Sequence, residues 1–278
     1  MAGGTKADIV FCLDASATMD SLLAGVRDHI GDLIGALHDD RPSAWDVRLD
    51  FLAYSTPYDY GGGKKTRRTD LKHNGRQGML FQSIRKSNFQ LLDALYRPAK
   101  DVPETAFFTQ DVEAFKAALQ EVKYIGDETP AVALDMAADF PFRDAASCHR
   151  VVILITDEPL ERGSAVKISQ DALENLSRKI QDKRIALYLI TPKSEAFEDL
   201  SQIEKCEWMF LDVCALATYD FGKILQRIGS SISALKLGPS AAIGVQPLFH
   251  EETWTDGGDC VCTDLTDLTA AVDPAVQN

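Results

Sequence analysis

Several things are missing from this chain of 278 residues, and each absence excludes something. No run of about eighteen uncharged apolar residues occurs, which argues against a membrane-spanning helix. The N-terminus, Met1-Ala2-Gly3-Gly4-Thr5-Lys6-Ala7-Asp8, leads straight into a strand-like segment. It has no basic region followed by an apolar core, so no secretory signal is expected and the expected location is cytoplasmic. Cysteine is sparse: six in this length do not make a disulfide scaffold. Cys12 sits inside an apolar run and reads as a small hydrophobe. Cys206, Cys214, Cys260 and Cys262 lack the spacing of a zinc ribbon, so reduced thiols are favoured over a zinc site. Neither a Gly-x-x-x-x-Gly-Lys-Ser/Thr phosphate loop nor a Gly-x-Ser-x-Gly elbow is present. His29, His38, His73, His149 and His250 are scattered, and there are no internal repeats.

What the chain does have is acid. The net charge of −13 argues against nucleic acid as the main partner of the whole surface. The charge is uneven. Residues 61–88 hold Lys64, Lys65, Arg67, Arg68, Lys72, Arg76, Arg85 and Lys86 against Asp70, whereas residues 236–278 hold seven acids and Lys236. The 45% apolar and 26% charged fractions are those of an ordinary globular protein able to bury a full core.

The run from Asp8 to Asp14 is apolar without alternation and ends on a carboxylate, as in a strand buried on both faces. Residues 19–38 follow with Leu22, Leu23, Val26, Ile30, Leu33, Ile34 and Leu37 at helical spacing. Val47–Tyr54 is a second strand of mixed pattern, nearer an edge. Residues 57–104 carry no strong period and read as a basic insertion, with a helix proposed around 89–96. Ala106-Phe107-Phe108 is offered as a short strand and 111–122 as a helix. Thr129-Pro130 suits an N-cap followed by a first helical position, opening a helix over 131–139. His149–Thr156 is an apolar strand leading to Asp157. Helices over 168–182, 195–205 and 218–235 alternate with strands over 185–190 and 208–213. Such alternation implies an α/β fold, a doubly wound and mostly parallel sheet flanked by helices. The domain is expected to span 1–237, leaving 238–278 as an acidic tail, disordered or packed on the domain.

In such a sheet, ligands bind beyond the carboxyl ends of the strands. Asp14 and Asp157 each end an apolar strand, Ser16 and Thr18 follow Asp14 at alternate positions, and Thr129 caps a helix starting at the same edge. Five oxygen-bearing side chains thus converge, the donor type a hard divalent cation takes. Plain helix capping by the same residues is the alternative.

The segment Asp14-Ala15-Ser16-Ala17-Thr18 resembles the Asp-x-Ser-x-Ser signature of von Willebrand factor A domains that carry a metal-ion-dependent adhesion site. Gly126-Asp127-Glu128-Thr129 resembles the loop supplying that family's separate threonine, and Ile155-Thr156-Asp157 its second aspartate. The resemblance covers roughly residues 6–235. Thr18 replaces the usual second serine, Ala17 stands where bacterial relatives often carry glycine, and Glu158-Pro159 follows Asp157 where glycine is common.

The resemblance implies a six-stranded sheet with one antiparallel edge strand. It also implies Ser16, Thr18 and Thr129 on the metal, with Asp14 and Asp157 bound directly or through water. Mg²⁺ is the expected ion, with Mn²⁺ or Ca²⁺ as alternatives. An open coordination position would take an Asp or Glu carboxylate from a partner protein. The implied function is that of a non-enzymatic scaffold or adaptor, a stand-alone intracellular member of prokaryotic type. A metal-dependent hydrolase or phosphoryl-transfer enzyme built on the same carboxylates is the rival. Lys64, Lys65, Arg67, Arg68, Lys72 and Arg76 would favour an acidic partner, or form a solvated loop. Nucleic acid is disfavoured there, since Tyr58, Tyr60 and Phe81 are the nearby aromatics that could stack on bases.

Overall fold

Lys6–Asp14 forms β1, and every residue after Lys6 is buried, as expected of a strand covered on both faces. The computed structural model describes residues 5–39, 45–55, 80–84, 107–122, 130–160, 169–211 and 219–237. After β1 a 3₁₀ turn (Ala17–Met19) leads into α1 (Asp20–Asp39). There follow β2 (Asp46–Ser55), β3 (Leu80–Gln82), α2 (Val112–Gln120) and α3 (Pro130–Ala137). The second half supplies β4 (Cys148–Ile155), α4 (Gln170–Asp182), β5 (Ile185–Thr191), α5 (Glu195–Ser201), β6 (Cys206–Phe210) and α6 (Phe221–Ala234).

The sheet order is β3-β2-β1-β4-β5-β6. β2, β1, β4, β5 and β6 run parallel, and β3 pairs antiparallel with the carboxyl end of β2. The order reverses direction at β1, so the crevice between β1 and β4 is the topological switch point. On one face, Val10, Cys12, Val152, Leu154, Leu187 and Leu189 pack with residues of α3, α4 and α5 in one cluster. On the other, Phe115 of α2 meets Phe11 and Phe51, with ring centroids 5.6 and 5.9 Å away. There α1 and α6 approach closely. A Cβ on Gly229 would lie 2.5 Å from the Leu33 carbonyl oxygen.

Helix starts follow local chemistry. Asp111 accepts from the Glu113 and Ala114 N–H groups, and Ser169, Ser194 and Asp220 cap α4, α5 and α6. At the amino edge of the sheet Asp8 is fully buried. Arg48 donates to it through Nε and Nη2, at 2.8 and 2.7 Å. Arg143 donates through Nε at 2.8 Å and its backbone N–H at 2.7 Å. Burial alone would raise the Asp8 pKa; these partners more than offset it and hold it below the ordinary carboxylate value.

Three expectations need correction. Phe107 and Phe108 form no strand: Phe108 has φ 56°, and its N–H donates to the buried Asp50 carboxylate at 2.9 Å. The Phe51 N–H takes the other Asp50 oxygen, so that carboxylate occupies the place of a ladder partner, leaving one antiparallel bridge, Leu49–Thr109. The antiparallel strand instead comes from Leu80–Gln82, inside the segment offered as a patternless insertion. Finally, the helix offered over 195–205 stops at Ser201, where Lys205 (φ 63°) turns the chain into β6, and β6 starts at Cys206 rather than Trp208.

The chain divides into two compact units, Met1–Leu248 and Phe249–Asn278, and all the described residues belong to the first. The expected helix around 89–96 and the tail from 238 lie outside the described residues. Among the described residues, no helix is long and apolar enough to cross a membrane.

Candidate functional site

β1 and β4 deliver Asp14 and Asp157 to the same carboxyl edge, because Leu13 is level with Ile155 in their parallel register. The loop after β1 is held down where the Ala15 N–H donates to the Tyr54 carbonyl, 2.9 Å away. Asp14 is fully buried. Its Oδ1 accepts from the Ser16 backbone N–H at 2.8 Å, and its Oδ2 accepts from the Thr156 hydroxyl at 2.8 Å.

A second chain of contacts runs beside the first. Thr18 Oγ1 donates to Asp157 Oδ2 at 2.6 Å and lies 2.8 Å from Ser16 Oγ. The single Thr18 proton is spent on Asp157, so Ser16 is the donor in its bond to Thr18. Four of the five expected oxygen-bearing side chains, those of Asp14, Ser16, Thr18 and Asp157, are therefore gathered at one place. Thr129 lies outside the described residues, although Pro130 does open α3.

Electrostatically the site is short of positive charge. Burial pushes the Asp14 pKa up, and the neighbouring Asp157 carboxylate adds to the rise. The bonds from Thr156 and Ser16 pull the other way, leaving the group at about 7. Asp157 Oδ1 is buried without a hydrogen-bond partner. A buried, unsatisfied carboxylate oxygen beside a second buried carboxylate and two hydroxyls fits a hard cation by donor type and by charge. Among the described residues no group of three or more His, Cys, Asp or Glu side chains is placed to hold a metal. The donors gathered here are two carboxylates and two hydroxyls.

Thr156 was not singled out from sequence. Its one visible signal is a hydroxyl closing the apolar run of β4, immediately before Asp157. Other residues weighed for chemistry lie elsewhere. His149 stands at the amino end of β4, its ring 5.6 Å from that of Trp45. Cys12 and Cys206 are buried free thiols of the core, and burial raises the Cys206 pKa far above the ordinary thiol value. Cys214, Cys260, Cys262 and the basic residues Lys64, Lys65, Arg67, Arg68, Lys72 and Arg76 lie outside the described residues.

No family model matches the sequence, and no curated protein sequence matches it. Solved structures do resemble it in arrangement. A von Willebrand factor type A protein from Catenulispora acidiphila aligns at 15% identity and TM-score 0.47, covering 81% of this chain and 43% of that one. Proximal thread matrix protein 1 from the mussel byssus aligns at 15% identity and TM-score 0.46, covering 83% of this chain and 47% of that one. The pilus adhesin SpaC from Lactobacillus rhamnosus GG aligns at 12% identity and TM-score 0.44, covering 82% and 30%. This chain spans less than half the length of each. The assignment as a doubly wound α/β domain rests on the strand order and register above.

Proposed function

We propose that this chain is a divalent-cation-dependent protein-interaction module of the von Willebrand A type. Asp14, Ser16, Thr18 and Asp157, with Thr129, would hold the ion, and a partner's Asp or Glu carboxylate would complete its coordination. The observation that carries this reading is the convergence of the β1 and β4 loops, with Asp157 Oδ1 buried and unsatisfied and Asp14 raised to about 7. Bringing an ion between two such carboxylates relieves their repulsion and satisfies the orphaned oxygen. With hydroxyls making up half the described donors, the ion would keep enough Lewis acidity to take a further anionic ligand. Mg²⁺ suits this hard oxygen set; Mn²⁺ and Ca²⁺ are the alternatives.

The role is binding rather than catalysis. What supports that reading is that the described hydroxyls of the site are engaged with Asp14, with Asp157 and with each other, as oxygen donors gathered around one place. The basic residues Lys64, Lys65, Arg67, Arg68, Lys72 and Arg76 would bias partner choice towards acidic segments. The test is calorimetric titration of Mg²⁺, Mn²⁺ and Ca²⁺ into metal-stripped protein. One saturable site, lost in Asp14→Ala and in Asp157→Ala, is the expected result. Undiminished binding in both variants would refute the assignment, and turnover of phosphoesters by the loaded protein would favour the hydrolase.

A further inference from the structure

The amino edge of the sheet carries a pocket in which positive charge is left unmatched. It lies where β4, β5 and β6 begin and where α4 and α6 end, and its walls include Arg150, Arg184, Lys205 and Lys236. No Asp or Glu is among the described residues that line it. β4 spans eight residues from Cys148, in this pocket, to Ile155, beside the Asp14 site. That length of strand keeps the two places roughly 23 Å apart.

A chain of net charge −13 has acids enough to pair its cations. Elsewhere Arg48 and Arg143 pair with Asp8, Lys179 and Lys183 with Asp139, Lys116 with Glu113 and Lys223 with Asp220. Among the described residues, Arg150, Arg184, Lys205 and Lys236 have no carboxylate partner.

Helix ends account for part of the cluster. Arg150 donates through Nε to the Arg143 carbonyl at 2.8 Å and through Nη1 to the Lys183 carbonyl at 2.9 Å. Lys205 Nζ donates to the Lys236 carbonyl at 3.4 Å. The Lys183 and Lys236 carbonyls follow α4 and α6, and each helix end is worth about half a negative charge. Against these stand four full positive charges. Among the described residues, the side chains of Arg184 and Lys236 make no hydrogen bond, and Arg150 Nη2 is also unused. Arg184 and Lys205 have φ of 54° and 63°, a conformation in which glycine or asparagine is usual. Each of these turns carries a cation instead.

We propose that this pocket binds a phosphate-type oxyanion, either inorganic phosphate or the phosphoryl group of a small phosphate ester. The pocket encloses about 290 Å³ with its open mouth included. That is small beside the clefts that hold drug-sized molecules, and it suits a compact group. A dianion balances the surplus positive charge better than a single carboxylate does. The Arg150 guanidinium, fixed in its plane by two carbonyls, is pre-organised to meet phosphate oxygens. The proposal is independent of the cation-dependent reading above.

The test is calorimetric titration of inorganic phosphate, and separately of glycerol 3-phosphate, into the full chain at pH 8. EDTA is present throughout, so neither anion can bind through a metal at Asp14, and sodium chloride at matched ionic strength is the control. The expected result is one saturable site, weakened about tenfold in Arg184→Gly and in Lys236→Gln. Glycine suits the backbone at position 184, so Arg184→Gly should keep the wild-type Tm, which separates loss of the ligand from loss of the fold. Arg150→Lys keeps the charge but not the fork, and should also weaken binding. Tighter binding of the ester assigns the ligand to small phosphate esters; binding of inorganic phosphate as tight or tighter assigns it to the free ion. Absence of saturable binding by either anion overturns the proposal. Binding unchanged in both Arg184→Gly and Lys236→Gln marks an adventitious ion only and overturns it, as do equal heats from chloride.

Discussion

The raised pKa of Asp14 makes the metal-free protein's stability fall as pH rises, the reverse of the usual carboxylate. A folded-state value of about 7 against an ordinary value of 3.8 means the folded chain holds this proton more tightly than the unfolded one. Below pH 3.8 both states are protonated and the group contributes nothing. Between there and pH 7 the unfolded chain ionises while the folded chain does not, so the penalty grows with pH and is complete above pH 7. Raising the pH from 5 to 7 or above spans about two pH units at 1.36 kcal/mol each, a loss of about 3 kcal/mol. For a domain of this size that lowers Tm by roughly 6–12 °C. The assay is thermal melting by circular dichroism in EDTA at pH 5, 6, 7 and 8, on wild type and Asp14→Asn. The neutral amide removes the titration, so the variant should melt at a flatter temperature across this range and exceed wild type at pH 8. Saturating Mg²⁺ should restore wild type at pH 8, because the ion takes over the proton's role. Parallel pH profiles for wild type and Asp14→Asn would refute the reasoning.

Other perturbations separate architecture from site. Asp8→Ala leaves the Arg48 and Arg143 guanidiniums without their buried carboxylate and should cost about 3–5 kcal/mol in urea unfolding. Because the Asp8 pKa is depressed, its contribution is present above the unfolded value and is lost as pH falls through the folded one, which wild-type acid titration should show below pH 4. Gly229→Ala forces a Cβ against the Leu33 backbone and should destabilise by about 1–3 kcal/mol. Gly31→Ala and Gly35→Ala meet no atom within 4 Å and should stabilise by roughly 0.5–1 kcal/mol, read from the same urea curves. Deleting residues 61–76 should weaken capture of acidic partners while leaving Mg²⁺ affinity and Tm unchanged. The cut stops short of Leu80–Gln82 because that segment pairs with β2.

What the sequence makes legible follows from how strongly burial writes itself into it. β1, β4 and β5 are covered on both faces, so their unbroken apolar runs mark them and their last residues with little error. β3 is three residues long at the edge of the sheet, and its Leu-Phe-Gln carries no period to read. Phe107-Phe108 misleads for the opposite reason. Its rings are buried against Phe140, which gives the segment the composition of a strand, but Asp50 and a positive φ at Phe108 take the backbone out of the ladder. The convergence of Asp14, Ser16, Thr18 and Asp157 at one edge is legible through order and context. Thr156 is not, because a hydroxyl ending a strand is common, and its bond to Asp14 spans 142 positions of sequence.

The two acids of β1 show why one edge of the sheet is architecture and the other is available for chemistry. Asp8 and Asp14 lie on the same strand and the same face, and both are fully buried. Asp8 is closed in by two guanidiniums and a backbone N–H, so its charge is matched from within the chain. Asp14 receives only uncharged donors, the Ser16 backbone N–H and the hydroxyls of Thr156 and Ser16, and among the described residues no Lys or Arg reaches it, while Asp157 adds negative charge nearby. Burying an unmatched charge is costly unless something outside the chain balances it. A positively charged group such as Lys at position 18 would supply that balance at once. Thr18 there instead donates its hydroxyl to Asp157, and on the proposed reading the positive charge would come from a bound cation. Thr18→Lys should therefore lower the Asp14 pKa and stabilise the metal-free chain above pH 7, at the expense of Mg²⁺ binding. A Thr18→Lys protein with unchanged Mg²⁺ affinity would break the link between the missing cation at Asp14 and the function of this edge.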